Sequence, residues 1–289
     1  MITHKTGEEL TTISTSAFGT KEFLLVSDFD QTLSFQDSGE VLSEMLGIPN
    51  FRERVAKLSQ THLVQQGGEL AYLLVHDPDF RQVRVEHLRE AGKKVHLRPN
   101  IQLLARLLRD LDGRRFQYYV VSAGPQEIVE SALEGIVPPE NIFASKLAFN
   151  ESGEPDHVEC LRAGYGKVTI LDQLRAKAPI SRHHLVYVGD GSSDVHVMLH
   201  VNRLDGLTIA VSENKYLTQI AKRTVLSDDA LSILIPVLED IFNWSGARIR
   251  SFLEHHGLIL QEWEKVQTDT VAIVSAAAAI EPAFVPLSH

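Results

Sequence analysis

The sequence contains one cysteine, Cys160, among 289 residues. A single thiol excludes an internal disulfide framework and agrees with a reducing compartment. Nothing near it in the sequence would activate it as a nucleophile. Basic residues are in the minority, 28 Lys and Arg against 38 Asp and Glu, for a formal charge of −10. Binding a nucleic-acid backbone takes a basic stripe, so no nucleic-acid partner is expected. A small phosphorylated ligand needs only one local cation cluster and stays open. No apolar run approaches the ~18 residues of a membrane-spanning helix, and no membrane partner is expected. The stretch "MITHKTGEELTTIST" has no basic-then-apolar leader, so the expected location is cytoplasmic. The 13 histidines are scattered and form no HExxH, which argues against a histidine metal centre. There is no internal repeat, and the late alanine run is the only low-complexity segment.

Several buried-strand patterns are present, each followed by helical periodicity. The strand patterns are "EFLLVSD", "RFQYYVVSAG", "HHLVYVGDG" and "GLTIAVS". Helical patterns follow at 101–111, 126–133, 168–174 and 217–222. This alternation predicts an α/β fold with a parallel sheet sandwiched by helices. Between Leu33 and Arg98 the patterns are helical throughout, as in "SGEVLSEML", "FRERVAKLSQTHL" and "GELAYLLVH". That predicts a helical insertion directly after the first strand. The expected division is a core of 20–33 and 98–243, a helical insertion over 34–97, and a C-terminal helical extension and tail over 244–289. The segment 229–242 reads as a helix that Pro236 should kink, or near whose start Pro236 should sit. "ARIRSFLEHHGLILQEWEKVQTD" reads as a further helical stretch interrupted at Gly257.

Acids follow two of the strands, Asp28 and Asp30 after the first and Asp190 and Asp194 after "LVYVG". In open parallel sheets, ligands bind outside the carboxyl ends of the strands, so these loops can converge. One aspartate behind a strand commonly caps the next helix. Two separate pairs are harder to read as caps. Carboxylates facing one cavity call for a cation, and hard oxygen ligands select Mg²⁺. Ser122 ends "VVSAG", where its hydroxyl and neighbouring amides such as that of Ala123 could hold a phosphate. Lys167, in "GYGKVTIL", stands at a helix start, a poor place for a cation unless an anion sits with it.

"DFDQT" (28–32), "VVSAG" with Ser122, Lys167 and "GDGSSD" (189–194) follow the order of the four motifs of the haloacid dehalogenase superfamily. The spacing resembles its phosphoserine-phosphatase-like branch, in which a helical cap follows the first motif. "ENIFASKLAFN" (140–150) is similar to a strand segment of that branch. The resemblance spans 22–242.

It implies a Rossmann-like core with an inserted cap and a Mg²⁺-dependent phosphatase acting on a small phosphorylated metabolite. Asp28 would be the nucleophile that forms an aspartyl phosphate, and Asp30 the general acid and base. The metal would sit on Asp28, the Asp30 backbone carbonyl and Asp190. Asp194 would orient that shell or ligate through water. Ser122, Ala123 and Lys167 would hold the phosphoryl oxygens, and Thr32 would bond locally. An acid at Asp30 favours a phosphatase over a dehalogenase or an ion pump. Ser193 stands where phosphoserine phosphatases usually carry asparagine, which weakens the case for phosphoserine itself. Asp37, nine residues after Asp28, would meet a substrate ammonium. "DSGE" also reads as a capping box in which Asp37 caps a helix and Glu40 reaches back. A phosphomutase or phosphotransferase, a non-catalytic scaffold, and self-association through the insertion or the C-terminal extension remain open.

Overall fold

The computed structural model describes residues 22–61, 64–177, 180–265 and 269–275. In chain order the elements are β1 (Glu22–Ser27), α1 (Ser38–Leu46), α2 (Phe51–Thr61), α3 (Glu69–His76), α4 (Val85–Lys94) and α5 (Ile101–Leu107). They continue with β2 (Arg115–Pro125), α6 (Gln126–Ala132), β3 (Ile142–Phe149), β4 (Pro155–Cys160), α7 (Tyr165–Lys177) and β5 (Leu185–Gly189). Then come α8 (Val195–Arg203), β6 (Leu207–Ala210), α9 (Lys215–Ile220), β7 (Arg223–Leu226), the helix Gly246–His255, β8 (Leu258–Lys265) and β9 (Asp269–Ser275).

The strands form one sheet in the order β4-β3-β2-β1-β5-β6-β7-β9-β8. β1 lies at its heart, parallel to β2 on one side and β5 on the other. Its apolar run is continuous because both faces are covered. Phe23 and Leu25 join the core on one face, while Leu24 and Val26 join the core on the other. The chain fills one side of β1 before crossing to the other. The crevice outside β1 and β5 is therefore the place where loops diverge and a ligand fits. Ser27 pairs with Val120 and with Val188, so Asp28 leaves β1 level with Val121 in β2 and Gly189 at the end of β5.

Between Leu33 and Arg98 stand α1 to α4 and one 3₁₀ turn, Pro78–Gln82, and α5 then leads into β2. The two chain segments entering and leaving this insertion run side by side. Ser34 bridges Leu97, Phe35 N–H donates to the His96 carbonyl (3.0 Å), and Arg98 N–H donates to the Leu33 carbonyl (2.8 Å). α4 packs against α6, and Gly92 makes the approach possible. A Cβ there would stand 2.4 Å from the Ile128 carbonyl oxygen.

The C-terminal extension differs from the helical expectation. Its helix ends at His255, Gly257 takes φ +75°, and the chain then forms the antiparallel pair β8–β9, with β9 parallel to β7. Period-two burial wins after the glycine. Leu258 and Leu260 are buried and Gln261 is exposed, while "DTVAIVS" is rich in β-branched residues. The segment 230–241 is helical but irregular, passing from 3₁₀ through a short α segment to a π turn. Pro236 has no N–H to donate to the preceding turn, which disfavours a regular helix there. α5 stops at Leu107, short of the expected 111. The late apolar tail, 276–289, lies outside the described residues.

Candidate active site

Asp28 is the first residue past β1, and its N–H donates to the Val188 carbonyl at 2.9 Å, extending the β1–β5 ladder. Its Oδ1 accepts from the Phe29 N–H (2.8 Å) and from the Lys167 ammonium (2.8 Å). Lys167 stands in the first turn of α7 and is 1% exposed. Its second carboxylate partner is Asp194, at 2.7 Å. Burial alone would lower the Lys167 pKa, but Asp194 and Asp28 outweigh it and hold the ammonium above its ordinary value.

Asp194 is fully buried and saturated. Its Oδ1 accepts from Lys167 and from the Tyr187 hydroxyl (2.6 Å), and its Oδ2 accepts from the N–H groups of Asp190 (3.2 Å) and Gly191 (3.1 Å). A carboxylate offers about four lone-pair sites, and here all are engaged. Asp190 faces the cavity, and its Oδ1 accepts from Thr32 Oγ1 at 3.4 Å. Thr32 was expected to bond locally; its side chain instead ties the first loop to the β5 loop.

Asp30 follows Asp28 into the same cavity, but its environment differs. Its carboxyl group meets the Ser38 N–H (2.8 Å) and the Ser38 hydroxyl (3.0 Å) at the start of α1. Burial, then Asp37 and Asp28, push its pKa well above the ordinary carboxylate value. Burial, then Asp194, raise Asp28 to about 7, with Lys167 opposing. Asp190 is also raised well above its ordinary value, by burial first and then by Asp28 and Asp194. Of these four carboxylates, Lys167 pairs with two, Asp28 and Asp194. Ligand oxygens of Asp28, Asp190 and Asp194 lie within 4.8 Å of one another. This hard-oxygen cluster with excess negative charge suits a divalent cation.

The β2–β3 pairing is interrupted between Val121 and Pro125, which takes Ser122 to Gly124 out of the regular ladder. Ala123 and Gly124 line the cavity. Ser122 is buried, and its hydroxyl oxygen accepts from the Gly124 N–H at 3.0 Å. Asp37 lines the cavity and also caps α1, accepting from the Gly39 N–H at 2.7 Å. Burial raises its pKa more than the helix N–H groups lower it. The capping box is not completed. Glu40 pairs with Arg52, because a guanidinium is a stronger partner for a carboxylate than a neutral backbone N–H.

The resulting cavity holds about 210 Å³. Asp28, Asp30, Asp190, Ala123 and Asp37 line it, while Lys167, Asp194 and Ser122 are buried behind them. Its far wall comes from the insertion. Gln65 Nε2 donates to the Ala163 carbonyl at 3.1 Å, and Gly67 sits on the β5 loop. With φ +90°, and with Ser193 Cβ 2.8 Å from where its own Cβ would be, Gly67 admits no side chain.

The sequence reading missed Tyr187, Ser38 and Glu69. Tyr187 looks like an ordinary strand tyrosine and Ser38 like a helix-start serine. Glu69 carries no signal in the sequence.

The family model described as haloacid dehalogenase-like hydrolase matches residues 25–199. A curated 2-hydroxy-3-keto-5-methylthiopentenyl-1-phosphate phosphatase from Exiguobacterium sp. strain AT1b is 28% identical over 184 residues, covering 60% of this chain and 79% of that protein. Among solved structures, a substrate-bound phosphoserine phosphatase complex matches with TM-score 0.60 at 20% identity, over 75% of this chain and 98% of the other. A phospho-aspartyl intermediate analogue of phosphoserine phosphatase matches with TM-score 0.60 at 21% identity, over 74% and 98%. At these identities the structural likeness is one of fold.

Proposed function

This chain belongs to the haloacid dehalogenase-like hydrolases as a phosphoric monoester hydrolase, and on that premise we propose that it is a Mg²⁺-dependent phosphatase working through an aspartyl phosphate on Asp28. The observation that carries the reading is the different treatment of two neighbouring acids. Asp28 is ion-paired with Lys167, which favours an ionised nucleophile. At Asp30, burial and then Asp37 and Asp28 favour the protonated form, outweighing the opposing Ser38 hydrogen bonds. Burial raises both acids, but Lys167 opposes the rise at Asp28 alone, and that difference assigns a nucleophile and an acid.

Asp28 attacks phosphorus, and the departing alcohol takes the Asp30 proton. Asp30, now ionised, removes a proton from water as that water attacks the aspartyl phosphate. Phosphate leaves, and both carboxyl groups return to their starting state. Lys167 offsets charge on the phosphoryl group, and the Ala123 backbone supports its oxygens from the side. Asp28, Asp190 and the Asp30 backbone carbonyl would hold Mg²⁺, which when bound neutralises phosphoryl charge. The saturation of Asp194 favours a positioning role for it, holding Lys167, over metal ligation. We read 34–97 as a cap on a core of 20–33 and 98–243. Contacts of Gln65 and Gly67 with the core support a role in excluding water.

The substrate is a small phosphomonoester. Asp37 in the cavity wall supports an ammonium-bearing substrate, an amino-alcohol phosphate such as phosphoethanolamine. The curated relative's name denotes a phosphate ester with hydroxy, keto and methylthio groups, and the apolar wall of Phe51, Val55 and Leu70 supports such a chain as a second reading. Release of inorganic phosphate from p-nitrophenyl phosphate tests the activity. It should require Mg²⁺ and stop with EDTA. Transfer of phosphate to a second hydroxyl without release would mark a phosphomutase, and no turnover would leave a binding scaffold.

A further inference from the structure

Beyond the phosphate-binding floor, the cavity wall belongs to the insertion. Phe51, Val55 and Leu70 supply apolar surface, and Asp37, Ser59 and Glu69 supply the polar groups. Glu69 begins α3 and is 6% exposed. Its Oε1 accepts from the Ser59 hydroxyl at 2.8 Å and its Oε2 from the Gly67 N–H at 2.8 Å. Both donors are neutral, so they orient the carboxylate without cancelling charge. Among the described residues, no lysine, arginine or histidine lines this cavity. Lys167 lies behind it, held between Asp28 and Asp194.

A phosphomonoester enters with its phosphate on the floor and its alcohol portion against this wall. A carboxylate on that portion would face Asp37 and Glu69 in a partly desolvated space with no lysine, arginine or histidine among the described lining residues to receive it. Like-charge juxtaposition of this kind rejects a ligand that otherwise fits. A hydroxyl or an ammonium group would instead donate to the same two acids.

We infer that this enzyme selects phosphomonoesters whose alcohol carries no second anionic group, with Asp37 and Glu69 enforcing the exclusion. The inference rests on the phosphatase reading and narrows it. Phosphoserine is rejected despite its ammonium group, whereas amino-alcohol phosphates and phosphates of neutral hydroxylated or apolar alcohols are accepted.

The test compares kcat/KM within two pairs that differ by one carboxylate, phosphoethanolamine with O-phosphoserine and ethyl phosphate with phosphoglycolate. Purified protein with Mg²⁺ is used, and p-nitrophenyl phosphate serves as the activity control. The carboxylate-free member should be preferred by at least about tenfold in each pair. Glu69→Gln should narrow both ratios severalfold, and so should Asp37→Asn, which keeps a good helix cap. Comparison within each variant removes any general loss of activity. Equal or better turnover of O-phosphoserine or phosphoglycolate overturns the inference. A preference that both variants leave intact overturns its assignment to Asp37 and Glu69. Absence of p-nitrophenyl phosphate hydrolysis by the unaltered protein overturns the phosphatase reading itself, and the selectivity with it. The preference for phosphoethanolamine relative to ethyl phosphate separates cationic from neutral alcohols.

Discussion

Tyr187→Phe isolates one buried hydrogen bond at the centre of the site. The phenol donates to Asp194 over 2.6 Å, and neither residue has any exposed surface. Burial, and then Asp194, push the Tyr187 pKa well above its ordinary value, so the hydroxyl stays a donor throughout the working range. The substitution removes a single oxygen. The ring remains in the buried cluster that also holds Leu24, Val26, Leu185 and Met198, so the cavity left is no larger than a hydroxyl. Asp194 keeps Lys167 and the N–H groups of Asp190 and Gly191. What is lost is one hydrogen bond to a charged group, about 1.5–3 kcal/mol. For a chain of this size that corresponds to a fall in Tm of roughly 3–12 °C. Turnover should drop by about tenfold, the effect of loosening a group that only positions others. Thermal and urea unfolding with EDTA present keeps metal binding out of the comparison, and kcat on p-nitrophenyl phosphate reads the site. An unchanged Tm would refute the claim that Tyr187 anchors Asp194.

Asp30→Asn removes the transferable proton, so kcat should fall by ~10²-fold or more, with the larger effect on poor leaving groups; equal losses on aryl and alkyl phosphates would count against Asp30 as the acid. The metal-free protein should become less stable as pH rises. Asp28 is raised from 3.8 to about 7, so its protonation favours the folded state fully below 3.8, and that stability is lost as pH climbs through 7. Mg²⁺ should therefore raise Tm more at about pH 8 than at about pH 5, and the reverse order in thermal scans would contradict the buried acid cluster. Ca²⁺, with its looser and larger oxygen shell, should inhibit the Mg²⁺ enzyme in a competition assay. Asp37→Asn should cost ~1–3 kcal/mol in kcat/KM on phosphoethanolamine and little on ethyl phosphate, whereas equal effects would reduce Asp37 to a helix cap.

Much of this arrangement is legible in the chain. The unbroken apolar runs before Asp28, Ser122 and Asp190 betray strands buried on both faces, and their acids and serine fall at nearly one level because Ser27 is in register with Val120 and Val188. Lys167 is legible because a cation at a helix start needs an anion. Other features depend on contacts between distant segments. Tyr187 matters only because the β5 loop folds back over it, and Ser38 only because the first turn of α1 meets Asp30. Glu69 gains its meaning from a wall of the cavity that three helical segments build together. The C-terminal strands were misread because "LILQEWEK" satisfies both a helical and an alternating pattern. The choice falls to the edge that β7 offers β9 and to the turn at Gly257.

The central claim is that phosphate passes through the Asp28 carboxylate, and acid-quench trapping tests it most directly. Protein mixed with substrate and Mg²⁺, quenched in acid during turnover and treated with hydroxylamine should yield a hydroxamate on the peptide bearing Asp28, mapped by mass spectrometry. Asp28→Asn, with deamidation excluded on the same instrument, should show neither label nor turnover. A hydroxamate on another residue, or sustained turnover by a verified Asp28→Asn protein, would contradict the account.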